Sequence, residues 1–175
     1  MSSDIINEEE RVACAQQVET SEIIRGTIRD LCGLNERVVA LDRSASVADA
    51  VNAMIQNRTG ALLIVEDGKL YGMFSERDVL TRVVAQKRVP AETPITDVMT
   101  PDPECLSFDD EIVFALNKMI VGGFRHIPIL DKNGTPIAVV SMRDVVAHIV
   151  SYYPDEVFNL PSDPTAGRTR QREGA

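Results

Sequence analysis

One strand-to-helix segment occurs twice in the sequence, and this duplication constrains the fold more than any other feature. The first copy is LYGMFSERDV, residues 70–79, and the second is PIAVVSMRDV, residues 136–145. Flanking segments also correspond, at an offset of about 65 residues, so each copy belongs to a longer repeated unit. We expect one compact pair, because packing two such units together buries the sheet faces that each alone would leave wet.

Each unit is predicted to fold in the order strand, helix, strand, strand, helix. Continuous apolar runs predict the strands, and apolar residues at helical spacing predict the helices. In the first unit these are the runs 38–41, 61–65 and 70–74, the helical patterns 47–55 and 75–86, and a hairpin turn at Asp67-Gly68. We therefore predict an α+β fold of two tandem β-α-β-β-α repeats, packed as a pseudo-twofold pair.

Shifts in composition divide the chain into five parts. Two prolines and the lack of any periodic pattern mark a linker between the repeats. The predicted parts are an N-terminal helical extension (1–25), a first repeat (26–87), the linker (88–94), a second repeat (95–151) and a C-terminal extension (152–175). The end of the last part has no core residues, so we expect it to be largely disordered.

The acidic charge balance narrows the range of partners. A net charge of −9 and a pI near 4.7 argue against nucleic-acid binding, which requires many neutralised phosphates. No apolar run reaches the roughly 20 residues that span a bilayer, so we expect no membrane insertion. The three cysteines, Cys14, Cys32 and Cys105, lie far apart without metal-site spacing. We therefore expect a cytoplasmic protein without a metal site.

The junction between strand and helix has the same polar chemistry in both copies. Ser75 and Ser141 stand where the helix begins, and Asp78 and Asp144 follow three residues later. A serine there caps free backbone amides, and an acid in the first turn suits the positive end of the helix. Such an end also favours a phosphate or a hydroxyl-rich ligand, so a cap alone and a ligand site are both open interpretations.

These motifs resemble those of the CBS-domain pair, also called the Bateman module. The segment from Gly72 to Asp78 fits the family signature G-x-x-S-x-x-D fully, and the second copy fits except that Ala138 replaces the glycine. The second copy also contains an R-H-x-P run that begins at Arg125. The resemblance covers roughly residues 26–151 and implies a stand-alone CBS-domain-containing protein.

The resemblance also implies a ligand. Members of the family bind adenine nucleotides, and less often S-adenosylmethionine or NAD, in clefts between the repeats. The signature acid takes ribose hydroxyls, and the serine before it contacts ribose or phosphate. For what we name the Asp144 cleft, the expected ligand-binding residues are Thr27, Ile28, Gly60, Ala61, Arg125, His126, Val139, Ser141, Arg143 and Asp144. For the Asp78 cleft they are Phe74, Ser75, Arg77, Asp78, Met99, Thr100 and Phe124.

Charge favours the Asp144 cleft as the better phosphate site. Arg125, His126 and Arg143 are all expected near it, and the arginine fork suits phosphate oxygens. The Asp78 cleft offers Arg77, with Arg58 as a further candidate. The alternative interpretations are solvated helix residues for the arginines and a satisfied, half-buried side chain for the histidine.

Three functional hypotheses follow. The first is a non-catalytic regulatory module that binds AMP, ADP or ATP, requires no cofactor, and passes occupancy to a partner protein or to a homodimer formed through the CBS helices. The second is a ligand-free scaffold, supported by Ala138, whose methyl group would crowd a close backbone approach. The third, an enzyme, has no sequence support, because P-loop, Gly-x-Ser-x-Gly and metal-ligand motifs are all missing. The sequence selects neither the nucleotide nor the regulated target.

Overall fold

The computed structural model describes residues 26–31 and 38–152, which form two similar groups of strands and helices. The first group consists of β1 (Ala40–Asp42), α1 (Val47–Asn57), β2 (Ala61–Glu66), β3 (Lys69–Ser75), α2 (Glu76–Asp78, continued by the π-helical segment Val79–Val84) and β4 (Thr100–Pro101). The second consists of α3 (Ile112–Gly122), β5 (His126–Leu130), β6 (Pro136–Ser141) and α4 (Met142–Val150). Two 3-10 turns, Ile28–Asp30 and Ile95–Asp97, complete the order.

Each group is built on an antiparallel hairpin. The first sheet has the order β1-β2-β3-β4, with β1 parallel to β2 and the other neighbours antiparallel. The second is the pair β5-β6, to which Leu106 adds an isolated parallel bridge at Ile129. Both hairpins carry a register shift at the equivalent place, after Ile64 and after Ile129. The predicted α+β fold of two repeats is confirmed, with the first strand of the second repeat reduced to that bridge.

The 3-10 turn at Ile28–Asp30 packs against the second repeat, although it precedes the first. Ile28 is fully buried in a cluster with Ile112, Met119 and Ile127. Its backbone amide donates to the Asp110 carbonyl at 2.9 Å, which fixes the turn beside the start of α3. The N-terminal end of the first repeat thus completes the core of the second.

The turn at Ile95–Asp97 makes the reciprocal crossing. Ile95, Val98 and Met99 lie in the cluster that contains Val47 and other core residues of the first repeat. The Ile95 amide donates to the Ala45 carbonyl at 3.0 Å. Alignment of the two repeats within the sequence assigns each turn to the repeat that follows it. The packing instead places each turn in the core of the other repeat. Since each repeat supplies part of the other's core, we expect the pair to fold as one unit.

The second helix of the first repeat differs from a regular α-helix. It begins at Glu76, as the serine cap predicts, but Val79–Val84 is π-helical, and the Ala85 amide donates to the Leu80 carbonyl. A π-helical segment rotates the side chains that follow it relative to a regular helix, and such segments are frequent at functional sites. The corresponding helix of the second repeat, α4, is α-helical throughout.

The signature glycine is explained by packing between strands. A Cβ atom at Gly72 would lie 2.5 Å from the Met99 Sδ and 3.0 Å from the Thr100 carbonyl oxygen, because β4 pairs with β3 at this position of the sheet. Ala138, at the equivalent position, is fully buried in the core of the second repeat and is absent from the described lining of both clefts. Its methyl group therefore leaves the clefts unobstructed, which removes the sequence support for a ligand-free scaffold.

The predicted N-terminal helical extension (1–25) and nearly all of the C-terminal extension (152–175) lie outside the described residues. The same holds for Cys14 and Cys32. These predictions stay open.

Candidate ligand clefts

Both signature acids are held by the serine caps that the sequence predicts. Asp78 Oδ2 accepts from the Ser75 amide at 2.9 Å and from its hydroxyl at 2.7 Å. Asp144 Oδ2 accepts from the Ser141 amide and hydroxyl, each at 2.7 Å, and the Asp144 amide donates back to Ser141 Oγ at 3.3 Å. These reciprocal capping boxes fix each carboxylate at the start of its helix.

The capped helices start at the junction between the repeats. The Glu76 amide at the start of α2 donates to the Gly60 carbonyl at 3.0 Å. In the equivalent contact, the Met142 amide at the start of α4 donates to the Arg125 carbonyl at 2.9 Å. Two clefts open on either side of this junction, and they share four lining residues: Gly60, Glu76, Arg125 and His126.

The Asp144 cleft has a volume of about 580 Å³. Its floor contains apolar side chains from both repeats, since Val39 and Ala61 of the first lie near Val139 of the second. Its remaining lining residues are Asn57, Arg58, Thr59, Gly60, Glu76, Arg125, His126, Ser141, Met142, Arg143 and Asp144. An apolar floor with a few convergent polar groups is typical of a small-molecule site.

Positive charge exceeds negative charge in the Asp144 cleft. Arg58, Arg125 and Arg143 line it, and within the described residues none of the three forms an ion pair. The acids opposite them are Glu76 and Asp144. Three guanidinium groups that are not neutralised by protein carboxylates can bind an anion such as phosphate.

Arg58 lines this cleft from the C-terminal end of α1. It is the C-cap of α1 and adopts the left-handed conformation, with φ of 52°. The sequence pattern ends α1 near Thr59-Gly60, but it gives no indication of this conformation at a non-glycine residue.

The surroundings of His126 favour its neutral form. Burial and the nearby Arg125 charge lower its pKa below 6.5, and the weaker attractions of Asp144 and Glu76 do not reverse the shift. A neutral imidazole keeps one nitrogen donor and one acceptor, so it can accept as well as donate a hydrogen bond in the cleft.

The Asp78 cleft is smaller, about 410 Å³, and its charge balance is opposite. Carboxylates outnumber arginines by four to three along its wall, because Asp102 and Glu104 line it in addition to Glu76 and Asp78. Its other lining residues are Gly60, Met73, Ser75, Arg77, Arg82, Thr100, Pro103, Gly122, Gly123, Phe124, Arg125 and His126.

The arginines of the first repeat in the Asp78 cleft already have protein partners. Arg77 donates to the Gly123 carbonyl. Arg82 pairs with Asp78, Nε to Oδ1 at 3.3 Å, and its Nη1 donates to the carbonyls of Val98 and Met99. The Asp144 cleft therefore agrees better with the predicted phosphate preference.

Most of the expected site residues line the clefts. Eight of the ten residues expected for the Asp144 cleft lie there: Gly60, Ala61, Arg125, His126, Val139, Ser141, Arg143 and Asp144. Five of the seven expected for the Asp78 cleft lie there: Ser75, Arg77, Asp78, Thr100 and Phe124. Arg58, considered for the Asp78 cleft, lines the Asp144 cleft instead.

Four expected residues lie elsewhere. Thr27 and Ile28 sit beside the second-repeat core, where the Thr27 hydroxyl donates to Asp30 Oδ2 at 2.8 Å. Phe74 and Met99 are buried in the first-repeat core. For Phe74 the error is one of strand alternation, because neighbouring residues face opposite sides of a sheet. Met73 faces the cleft, as Val139 does in the other repeat.

Several lining residues were missing from the sequence prediction. They are Val39, Asn57, Thr59 and Met142 in the Asp144 cleft, Met73, Arg82, Asp102, Pro103, Glu104, Gly122 and Gly123 in the Asp78 cleft, and Glu76 in both. The internal repeat could have identified Met73, since its equivalent Val139 was expected in the Asp144 cleft. The acidic loop Asp102–Glu104 gives no comparable sequence signal.

The described residues contain no group of three or more His, Cys, Asp or Glu side chains that could hold a metal ion. Burial raises the pKa of the Cys105 thiol, whose Sγ lies 3.0 Å from the Pro103 carbonyl. In the same part of the chain, no helix is long and apolar enough to cross a membrane.

Comparisons with known proteins agree with this architecture. The model of the CBS domain matches residues 28–85 and 95–151. The chain is 36% identical over 117 residues to the CBS domain-containing protein CBSCBSPB3 of Arabidopsis thaliana, covering 67% of this chain and 21% of that protein. The chain thus spans about a fifth of the length of this relative.

Solved structures give the same result. The crystal structure of the CBS domain NE2398 is 28% identical, with a TM-score of 0.65, covering 71% of this chain and 97% of that one. A CBS domain protein from Pyrobaculum aerophilum complexed with AMP is 25% identical, with a TM-score of 0.64, covering 73% and 98%. With two matched repeats and clefts beside both signature acids, this chain belongs to the CBS-domain family and contains a CBS-domain pair.

Proposed function

We propose that the chain is a regulatory module that binds an adenine nucleotide in the Asp144 cleft. The observation that carries this proposal is the juxtaposition of an accessible carboxylate oxygen with three arginines that lack ion pairs. Asp144 Oδ2 is occupied by Ser141, whereas Oδ1 has no hydrogen bond or ion pair within the described part of the chain. The similar protein from Pyrobaculum aerophilum, which is complexed with AMP, supports the same ligand class.

The cleft suits the three parts of a nucleotide. A carboxylate oxygen accepts from two neighbouring ribose hydroxyls, and each such charge-assisted bond contributes about 1.5–3 kcal/mol. The guanidinium groups of Arg58, Arg125 and Arg143 complement phosphate oxygens. The adenine base would lie on the apolar floor of Val39, Ala61 and Val139. AMP, ADP and ATP share these three parts, so the geometry favours the class and leaves its member open.

The proposed role is non-catalytic, with no required cofactor. Ligand occupancy would act by stabilising one arrangement of the repeats over another, and the shift is limited by the difference in affinity for the two arrangements. The shared wall formed by Gly60, Glu76, Arg125 and His126 connects the two clefts and could pass such a change between them.

We also propose a homodimer in which the CBS helices of two chains pack together. Large apolar side chains are exposed on the three expected helices: Leu80 and Val84 on α2, Phe114, Ile120 and Val121 on α3, and Val146 on α4. Contiguous exposed apolar surface marks protein contacts in soluble proteins, and we propose that these side chains form such a surface. A separate target protein is the other expected partner, and a cytoplasmic location agrees with both.

A thermal-shift series with AMP, ADP, ATP, S-adenosylmethionine and NADH tests the proposal. A ligand at 100 times its dissociation constant stabilises the fold by about 2.7 kcal/mol, which raises the unfolding midpoint of a chain this long by roughly 5–10 °C. We expect one of the three adenine nucleotides to give the largest shift, and Asp144→Ala to abolish it. A larger shift with S-adenosylmethionine or NADH would change the ligand class, and no shift with any of the five would favour a ligand-free scaffold.

A further inference from the structure

The two signature acids differ in whether a guanidinium group stands against their second carboxylate oxygen. A carboxylate has two oxygens with about two lone pairs each. In both acids, Oδ2 already accepts two bonds, one from the amide and one from the hydroxyl of the capping serine. The difference lies at Oδ1. Arg82 Nε is 3.3 Å from Asp78 Oδ1, whereas the described residues place no such partner on Asp144 Oδ1.

This difference matters for a ribose, which presents two adjacent hydroxyl donors. Asp144 retains two acceptor sites, enough for both hydroxyls. At Asp78 the Arg82 guanidinium stands against Oδ1 as an ion pair, and the carboxylate side chain is only 12% exposed, so a ribose can reach that oxygen only if Arg82 moves. A buried donor that finds no acceptor loses its hydrogen bond to water without compensation.

Arg82 is held in place by more than its carboxylate partner. Its Nη1 donates to the Val98 carbonyl at 3.0 Å and to the Met99 carbonyl, just before β4. The side chain therefore bridges α2 and the segment that crosses between the repeats. Displacing it would break an ion pair and two hydrogen bonds together, and this cooperation makes displacement costly.

The geometry points to Arg82 as a specificity-determining residue that closes the Asp78 cleft to ribose and leaves one nucleoside site per chain, at Asp144. This inference rests on the proposed nucleotide-binding function and deepens it. Asp102 acts in the same direction, because its charge repels the phosphate of a nucleotide in the Asp78 cleft, whereas the charge of Glu104 is balanced by its ion pair with Lys118. The equivalent of Arg82 in the second repeat is His148, which is buried and leaves Asp144 without an arginine partner.

Isothermal titration with AMP and adenosine tests the inference. Adenosine carries the ribose hydroxyls without the phosphate, so it isolates hydroxyl recognition from the loss of an arginine charge. We expect the wild-type chain to bind one AMP. In an Asp144→Ala background, which removes the first site, we expect Arg82→Met to tighten adenosine binding at the Asp78 cleft at least tenfold. Arg82→Gln provides a second variant if the methionine variant does not fold.

A matched control removes the same charge at a neighbouring position outside the clefts. Arg88 pairs with Asp97 at 3.5 Å on the surface, so Arg88→Met in the same background should leave adenosine binding unchanged. Two AMP sites of equal affinity in the wild type would overturn the inference, as would folded Arg82 variants that bind adenosine no better than their parent. Failure of the wild type to bind adenosine, AMP, ADP or ATP would instead overturn the proposed function, and the inference with it.

Discussion

Removal of the Asp144 carboxylate tests the proposed ribose contact, and a matched control separates the effect on ligand binding from the effect on helix capping. In Asp144→Ala, a bound ribose loses two hydrogen bonds to a charged acceptor. At about 1.5 kcal/mol each, the loss is about 3 kcal/mol, which raises the dissociation constant more than about 100-fold. The same substitution also removes the acid of a capping box, so some loss of thermal stability is expected as well.

Asp49→Ala is a matched control, because Asp49 forms the same box with Ser46 at the start of α1. Asp49 Oδ2 accepts from the Ser46 amide at 3.0 Å and from its hydroxyl at 2.7 Å, and Asp49 lies outside the lining of both clefts. Titration calorimetry with AMP should show weakened binding only in Asp144→Ala, and thermal unfolding should show a similar small loss in both variants. Equal AMP affinity in the two variants would refute the assignment of Asp144 as the ribose acceptor.

Three other predictions concern packing, pH and assembly. Gly72→Ala should destabilise the fold by about 1–3 kcal/mol, measured by urea unfolding, because the new methyl group would overlap Met99 and the backbone of β4. Since the pKa of His126 is lowered in the folded chain, the unfolded chain binds more protons just below pH 6.5. The unfolding free energy should therefore fall as pH drops from 7.5 to 5.5, and His126→Gln should reduce that fall. Ile120→Glu should convert a dimer to a monomer in light scattering, whereas Ile55→Glu, equally exposed on α1, should not.

Local patterns predicted much of the fold from the sequence. The Asp67-Gly68 turn takes positive φ at both positions, as its residues require. The serine caps at Ser75 and Ser141 start their helices where the sequence places them. These features depend on residues a few positions apart, and their chemistry is visible in a single sequence.

Features that depend on distant residues were not predictable in this way. Each 3-10 turn packs in the core of the other repeat, and predicting this requires knowing which core each turn completes. Ile28 and Ile95 would suit either core, because both are apolar. The ion pair of Arg82 with Asp78 has ordinary i,i+4 spacing, but the hydrogen bonds that anchor Arg82 to the Val98 and Met99 carbonyls join residues 16 and 17 positions apart. The side of β3 that faces the cleft was misassigned for Phe74 because both faces of that strand are apolar.

A crystal structure of the chain grown with AMP would test the central claim most directly. We predict the ribose hydroxyls within hydrogen-bonding distance of Asp144 Oδ1, with the phosphate against one or more of Arg58, Arg125 and Arg143. An AMP molecule whose ribose lies on Asp78, with Asp144 Oδ1 left facing solvent, would contradict the account.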